Sequence, residues 1–474
     1  MDPGTEDADA GRIETRAAGA AGADAAPPGL PGLAPAPGST PVTTAAATLP
    51  LAEGLRPVAP VPDSPALAAP RPAAPLRRPE IPAAGIKLPP PQPPEFALAW
   101  SYSRSGQLRE CERAVFWATF GSRGLGLPTG DPDAGRAWAL RHLTALPLAV
   151  GIAVHNAARQ VLEAVRAGAE PPSYEAQLRS ARGTLNHLWR ASQPDLLGRF
   201  WSMPGVHAAL REVVYRGELR AWEIEQARAV LAGCLRHLRS APVLDDVRGC
   251  AASDVWLPEA GPVHFRLAPQ SFGPGAGPRL AAWTRPLTVW AAPDLCYVHQ
   301  LRAADAAAAG LPEGRRYWCV VDWKTGARGC EADERLQLSV YALWLEASGR
   351  PSTDDVYLGR IVALRDASER WYVLGPDERA AARHAIAADT ERLLGLLAVP
   401  SHAFPRPKAD WALAVRRGTC ATCNYAALCH DDLATRDSAV GTSEDGARVP
   451  AASDAAVRAT TSSPSPPPPH PPRA

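Results

Sequence analysis

Apolar positions from about residue 134 to 239 recur at a spacing near 3.6, with few β-branched runs, and predict a long helical region. Residues 103–117 carry the same period and predict a helix ahead of it. After residue 245 the pattern changes. Short apolar runs at 263–267, 279–283, 287–298 and 317–323, punctuated by Gly and Pro, predict strands. Helical spacing returns at 333–345. Two more strands are expected at 355–363 and 370–374, and a helix at 378–397. This order makes a mixed sheet flanked by helices. The expected fold class is α/β (α+β), with a large helical part at about 134–242.

At both ends the periodicity stops. Of 51 prolines, 22 fall in residues 1–94 and 8 in 431–474. Segments so rich in Ala, Pro and Ser cannot bury enough apolar surface to offset the entropy of ordering. The expected organisation is therefore a disordered tail at 1–94, a folded domain at 95–432 and a disordered tail at 433–474. Hydrophobic residues make up 46% of the chain, which excludes full disorder. The longest uncharged apolar run in the middle, 143–158, is short of a membrane span and holds Pro147, His155 and Asn156. No membrane association is expected.

The net charge of +1 hides a split: the middle holds 39 Lys/Arg against 34 Asp/Glu, while both ends are mildly acidic. This surplus permits a polyanionic partner without demanding one. The acidic, polar start shows no secretory signal, and nine cysteines is an odd number. A reducing, cytoplasmic setting with metal or redox chemistry is expected, not a disulfide framework.

The chemistry concentrates in the run Val320-Val321-Asp322-Trp323-Lys324-Thr325-Gly326. Alternation along a strand puts Asp322 and Lys324 on one face. Pro293-Asp294 closes a neighbouring expected strand. Two carboxylates and a lysine meeting at strand ends would make a site for Mg²⁺ or Mn²⁺, with a phosphodiester as natural electrophile. An isolated Asp-x-Lys is more commonly a surface ion pair after a strand. Against that, the chain has three lysines, Lys87, Lys324 and Lys408, beside 47 arginines. A lysine kept in such a chain points to a need for a compact ammonium.

On the next helix Gln337 and Tyr341 share a face at i, i+4 and could orient the lysine or touch a phosphate; a tyrosine at the core edge is the plainer reading. His155 falls on one helical face with Leu148, Ile152 and Leu162, so it is expected to point inward, as a core histidine or a metal ligand. Cys420, Cys423 and Cys429 fit a soft-metal site that lacks one ligand. Cys111, far upstream, could complete it and tie the two ends of the fold; zinc with His430 is the competing reading. The other five cysteines, Cys234, Cys250, Cys296, Cys319 and Cys330, are expected to be small apolar fillers.

Together these segments resemble the RecB-like branch of the PD-(D/E)XK nuclease superfamily, above all its iron–sulfur members, the CRISPR-associated RecB-like exonucleases and the AddB nuclease domain. The resemblance runs from about 101 to 430. The Ser-rich opening helix ends in Cys111, Gly151-x3-His155 is similar to the family's Gly-x3-His motif, and Pro293-Asp294 with Asp322-Trp323-Lys324 is similar to its catalytic Asp and Asp-x-Lys. Gln337-x3-Tyr341 resembles the Gln-x3-Tyr motif, and Cys420, Cys423 and Cys429 the C-terminal cluster cysteines. Ala291 stands where the family often has Gly, and the link from Asp294 to Asp322 is long.

The resemblance implies a restriction-endonuclease-like fold and a 4Fe–4S cluster on Cys111, Cys420, Cys423 and Cys429. It implies DNA cleavage with Mg²⁺ or Mn²⁺ held by His155, Asp294 and Asp322. Lys324 would position the attacking water, and Gln337 and Tyr341 would contact DNA or orient that lysine. The expected function is a DNA nuclease, an exonuclease acting on DNA ends or single strands in repair, recombination or defence. No Gly-x4-Gly-Lys-Ser/Thr motif is present, so a helicase or a recombination or CRISPR assembly is a possible partner. A catalytically silent, cluster-stabilised DNA-binding scaffold is the alternative.

Overall fold

The computed structural model describes residues 97–441, apart from 205–207, 258–262, 274, 328 and 351–352, together with Ile81, Ile86 and Leu88. The rest of the expected tails, with Lys87, lies outside the described residues.

A two-residue strand, β1 (Trp100–Ser101), leads into helix α1 (Tyr102–Glu110), where Ser101 Oγ accepts from the Arg104 N–H at 3.2 Å as the helix cap. The single helix expected at 103–117 breaks at Cys111, whose backbone is extended (φ −161°), and resumes as α2 (Glu112–Thr119). Cys111 is thereby presented at a corner. Helices α3 (Pro132–Arg141), α4 (Leu146–Arg166), α5 (Tyr174–Ala191) and α6 (Ala221–Arg239) follow.

The face expected to be inward on α4 is corrected. Leu148 is 58% and Ile152 44% exposed, while Val150, Ala153, Val154, Ala157, Ala158, Val161 and Leu162 are buried. The polar residues of this helix, His155, Asn156, Arg159, Gln160, Glu163 and Arg166, fall on one side, and Leu148 and Ile152 lie on that same side, so the helical period itself turns them outward. Its neighbours pack against the row rich in Ala and Val, where helices approach closely.

Eight strands build two sheets. The chain runs β2 (Val255–Trp256), β3 (Val263–Leu267), β4 (Leu287–Ala291), β5 (Leu295–Gln300) and β6 (Arg316–Lys324). Then come helix α7 (Glu331–Ala347), strands β7 (Tyr357–Ala363) and β8 (Ser368–Leu374), and helices α8 (Pro376–Gly395) and α9 (His430–Gly441). The larger sheet has the order β8-β7-β6-β5-β2, with β6 and β7 parallel and the other pairs antiparallel. The smaller has the order β1-β4-β3. This is a mixed α/β architecture consistent with a restriction-endonuclease-like fold.

The run expected as one strand at 287–298 is two, β4 and β5, and they belong to different sheets. Pro293 has no N–H for a ladder, so the pairing stops there. Asp294 resumes it, donating its N–H to Val321 O at 3.1 Å. The strand expected at 279–283 is also corrected: Pro278–Ala281 is a helical turn, because Gly277 (φ +47°) and Pro278 start one and Glu391 Oε2 accepts from the Leu280 N–H at 2.7 Å. At the other end, α9 runs past residue 432, where the folded domain was expected to stop.

Helix α7 crosses from β6 to the parallel β7 and is enclosed between the sheets. Leu338, Val340, Ala342, Leu343 and Leu345 share one core with Val289, Val320, Ile361 and Tyr372. All seven residues of β7 are buried. Its buried Gln337 and Tyr341 find their polar partners in each other and in the end of β6. Among the described residues no helix is long and apolar enough to cross a membrane.

Candidate active site

Four elements converge where the large sheet meets α4 and α7. The β4–β5 break contributes Asp294. The C-terminal end of β6 contributes Asp322 and Lys324, α7 contributes Gln337 and Tyr341, and α4 contributes His155. Strands β5 and β6 pair from Leu295↔Val321 to Gln300↔Arg316. The long link therefore lies at the far end of the hairpin, and Asp294 and Asp322 stay side by side. Gly151 explains how α4 comes near: a Cβ there would stand 3.2 Å from Thr325 Oγ1. One turn later His155 reaches the carboxylates, which gives Gly-x3-His a physical meaning.

His155 Nδ1 and Asp294 Oδ1 are 2.7 Å apart, and Asp294 Oδ2 accepts from the Trp323 N–H at 2.8 Å. Asp322 Oδ1 accepts from Gln337 Nε2 at 2.9 Å and from the Tyr341 hydroxyl at 3.2 Å. Gln337 Nε2 also donates to the Tyr341 hydroxyl at 2.6 Å, and its Oε1 accepts from Lys324 Nζ at 2.7 Å. The second oxygen of Asp322 is buried and lacks a hydrogen-bond donor; Lys324 Nζ lies 2.6 Å away as an ion pair outside hydrogen-bond geometry. Gln337 and Tyr341 are buried, so their amide and hydroxyl are committed to this network.

Burial lifts the Asp322 carboxyl above the usual carboxylate range; Lys324 pulls it back, and the charge of Asp294 pushes it up again. Burial works against a charged His155, but the hydrogen bond and charge of Asp294, with Asp322 behind it, raise its pKa above the ordinary value. Burial, with Asp322 and Asp294 beside it, holds the Tyr341 phenol well above its usual range. Two mutually repelling carboxylates with one buried oxygen lacking a donor call for positive charge. Two carboxylates and an imidazole are a donor set that fits a hard divalent cation such as Mg²⁺ or Mn²⁺. In the structure these side chains pair with one another. Among the described residues no three His, Cys, Asp or Glu form a ready metal-binding group.

The cysteines lie apart from this network. Cys111, Cys423 and Cys429 pack in one cluster with Phe116, Trp117 and Trp411. Burial pushes the Cys423 thiol up to about 12, against the pull of the Tyr425 N–H, and the nearby Cys429, Cys111 and Cys420 add to the rise. Cys429 is pushed up to about 11, again chiefly by burial. Cys111, Cys420 and Cys429 are thus all within electrostatic reach of Cys423, Cys111 across more than 300 residues of chain. His430 turns away: its side chain is 61% exposed and pairs with Asp431 at 3.4 Å. The expectation that the other five cysteines are apolar fillers holds for the buried Cys234, Cys296 and Cys319. It fails for Cys330, which is exposed and donates to Asp333 Oδ2 at 3.1 Å, while Cys250 packs partly buried against the core with its thiol bonded to backbone carbonyls.

Several contributors escape sequence reasoning. The Trp323 amide that holds Asp294 is backbone, which any residue supplies. Tyr102 is half-buried in electrostatic range of Asp322, its phenol pushed up to about 12 by burial and by Asp333; its signal was the run Ser101-Tyr102-Ser103. Arg113, two residues after Cys111, joins the two ends of the fold. It donates from Nη1 to Asp432 at 2.6 Å and from Nε to Trp411 O at 2.9 Å. Lys408 adds a 3.4 Å ion pair to Asp432. A cavity of about 890 Å³, lined by Ser101, Ser103, Arg104, Gln107, Arg141 and Leu148, runs to Cys423 and Asn424.

The family model of the PD-(D/E)XK nuclease superfamily matches residues 311–430, so the chain carries a domain of that superfamily. The matched stretch holds Asp322, Lys324, Gln337, Tyr341 and the three C-terminal cysteines. No curated protein matches the chain.

Proposed function

We propose that this chain is a divalent-metal-dependent DNA nuclease, an exonuclease acting on ends or single strands, whose site is His155, Asp294, Asp322 and Lys324. The observation that carries the reading is the network Lys324–Gln337–Asp322. An ammonium and a carboxylate are held against each other by a buried amide whose other bond goes to Tyr341 of the same network.

His155, Asp294 and Asp322 would hold Mg²⁺ or Mn²⁺. The bound ion would supply positive charge against the negative charge that develops on the phosphoryl oxygens. The protein's own contribution is orientation. Gln337 fixes the Lys324 ammonium, a point donor that can hold the attacking water or a non-bridging phosphate oxygen. The Trp323 N–H and His155 fix the Asp294 carboxylate from both sides. Tyr341 and Gln337 keep one Asp322 oxygen occupied, and the other, paired with Lys324, would turn to the cation. The cavity beside Leu148 supports an unpaired strand as substrate: Leu148 is two turns before His155, about 10 Å of helix rise. A cavity of this size has room for nucleotides and not for a duplex.

A 4Fe–4S cluster on Cys111, Cys420, Cys423 and Cys429 belongs to the same reading. Because ligand thiols must lose protons, loading would release them from groups now held neutral. The zinc alternative has less support, since His430 is turned to solvent. The test is purified protein with end-labelled single- and double-stranded DNA, with Mg²⁺, with Mn²⁺ and with chelator. Metal-dependent shortening of the strands is expected. DNA binding without cleavage in every metal would leave the silent scaffold in its place.

A further inference from the structure

We infer that the outer face of α5 is a docking surface for the backbone of duplex DNA. The inference rests on the nuclease reading and extends it to a second contact with the substrate, outside the catalytic centre.

Helix α5 carries Arg179, Arg182, Asn186 and Arg190 at spacings of three, four and four, so they lie along one face. All four are exposed. From Arg179 to Arg190 the helix rises about 16 Å. Among the described residues, the side chains of these three arginines have no ion pair and no hydrogen bond. Some helical arginines meet a carboxylate one turn away, as Arg159 does with Glu163, Arg228 with Glu225 and Arg335 with Glu331, whereas these three lie together on one helix face without one. The one acid on α5, Glu175, lies at its first turn and leaves Arg179 unpaired. Arg179 and Arg182, one turn apart, repel each other, Arg190 follows two turns on, and no ion pair among the described residues relieves them.

Gly183 lies within the same face. A Cβ there would meet nothing within 4 Å, so packing does not demand glycine. A glycine in an exposed helix interior weakens the helix, and what it offers is close approach to the backbone. The opposite side of α5 is firmly seated. Ala181 is buried, and Leu185 and Leu188 pack around Leu146 and Ala149, the first turns of the helix that carries His155. The face is thus rigidly coupled to the site, one helix spacing of about 8–10 Å beyond α4.

The shape selects the occupant. An unpaired strand is bound in grooves with several aromatic platforms, and this convex face carries one exposed aromatic, Trp189, on the side of Arg182. A convex helix face with Arg179, Arg182, Asn186 and Arg190 along it and no acid between them fits the phosphates that line a groove of the duplex. A substrate with a duplex arm and an unpaired end would then lie on α5 through the arm and present the end to the carboxylates.

The experiment replaces Arg179→Gln, Arg182→Gln and Arg190→Gln together and measures affinity for a duplex of about 20 base pairs at several salt concentrations, with Ca²⁺ present. Each lost phosphate contact lowers the slope of log affinity on log salt by about 0.9, so a fall of about 2–3 is expected. The matching lysine protein should keep the wild-type slope, which separates charge from any loss of folding. Cleavage of a single strand of about four nucleotides should be unchanged, because that substrate is too short to reach α5. An unchanged duplex slope, or an equal loss on a long single strand, would overturn the inference and leave the nuclease reading intact. A wild-type protein that cleaves no DNA in any metal would overturn that reading instead.

Discussion

His155 Nδ1 and Asp294 Oδ1 stand 2.7 Å apart although 139 residues separate them. One belongs to the helical part of the chain and the other to the break between two sheets. Neither carries a local signal stronger than that of a core histidine or a turn aspartate. Their meeting depends on Gly151, which lets α4 lie against Thr325, and on Pro293, which ends β4 and lets β5 join β6 at Asp294.

Asp322→Ala and Lys324→Ala should each lower DNA cleavage by about 10²–10³ or more, as expected when an electrostatic stabiliser of the transition state is removed. Lys324→Arg should fail as well, because the planar guanidinium cannot take the place of a point donor between Gln337 and Asp322. Initial rates on labelled DNA with Mn²⁺ check this. Wild-type rates in any of the three would remove the site from consideration.

Gln337→Ala should cost more activity than Tyr341→Phe. The amide serves Lys324, Asp322 and Tyr341 together, whereas the phenol supplies one 3.2 Å bond to an oxygen that Gln337 also holds. The expected ratio is about tenfold, the worth of one hydrogen bond to a charged group. Equal losses would mean that Gln337 does not position the lysine.

Cys111→Ala should lose iron to the same extent as Cys423→Ala, and His430→Ala should keep it. The measurement is iron and zinc content with visible absorbance after anaerobic purification. Iron retained in Cys111→Ala, or zinc lost in His430→Ala, would favour the zinc site.

Arg113→Ala should lower stability by about 2–3 kcal/mol, because a buried guanidinium loses its charge-assisted bond to Asp432 and its bond to Trp411 O. Asp432 is partly exposed and regains water, which keeps the cost below that of a stranded buried charge. Denaturant titration reads the change. Cleavage per folded molecule should be untouched, since Arg113 belongs to the clasp and not to the carboxylate site.

Stability should fall as pH drops below about 6.5, in part through His142. Burial, then the charges of Arg141 and Arg123, push its pKa below the ordinary value, so the folded state favours neutral imidazole. The unfolded chain then binds the extra proton first. The stabilisation is complete above the unfolded value and is lost as pH falls through the folded one. His142→Leu removes this titration and should narrow the difference between melting temperatures measured at neutral and mildly acid pH. An unchanged difference would assign the acid sensitivity to other groups.

Much of the fold was readable because strands β3, β6, β7 and β8 and helices α7 and α8 are amphipathic or bounded by Gly and Pro, and such patterns are local. The Asp322-Trp323-Lys324 pair was readable for the same reason: strand alternation alone puts both side chains on one face. The polar residues from His155 to Arg166 likewise mark the outward side of α4, which is the side of Leu148 and Ile152, against the inward placement expected for them. Two things were not readable. The run at 287–298 looked like one strand, because the exchange of one sheet for another at Pro293 is a matter of which strands lie alongside. The union of Cys111 with Cys423 and Cys429 needed the break after α1 and the Arg113 clasp, both products of long-range packing. Periodicity is set by the residue and its near neighbours, and so the chain's own order reveals it. Which faces meet is set by burial summed over the whole domain, and only the folded chain decides it.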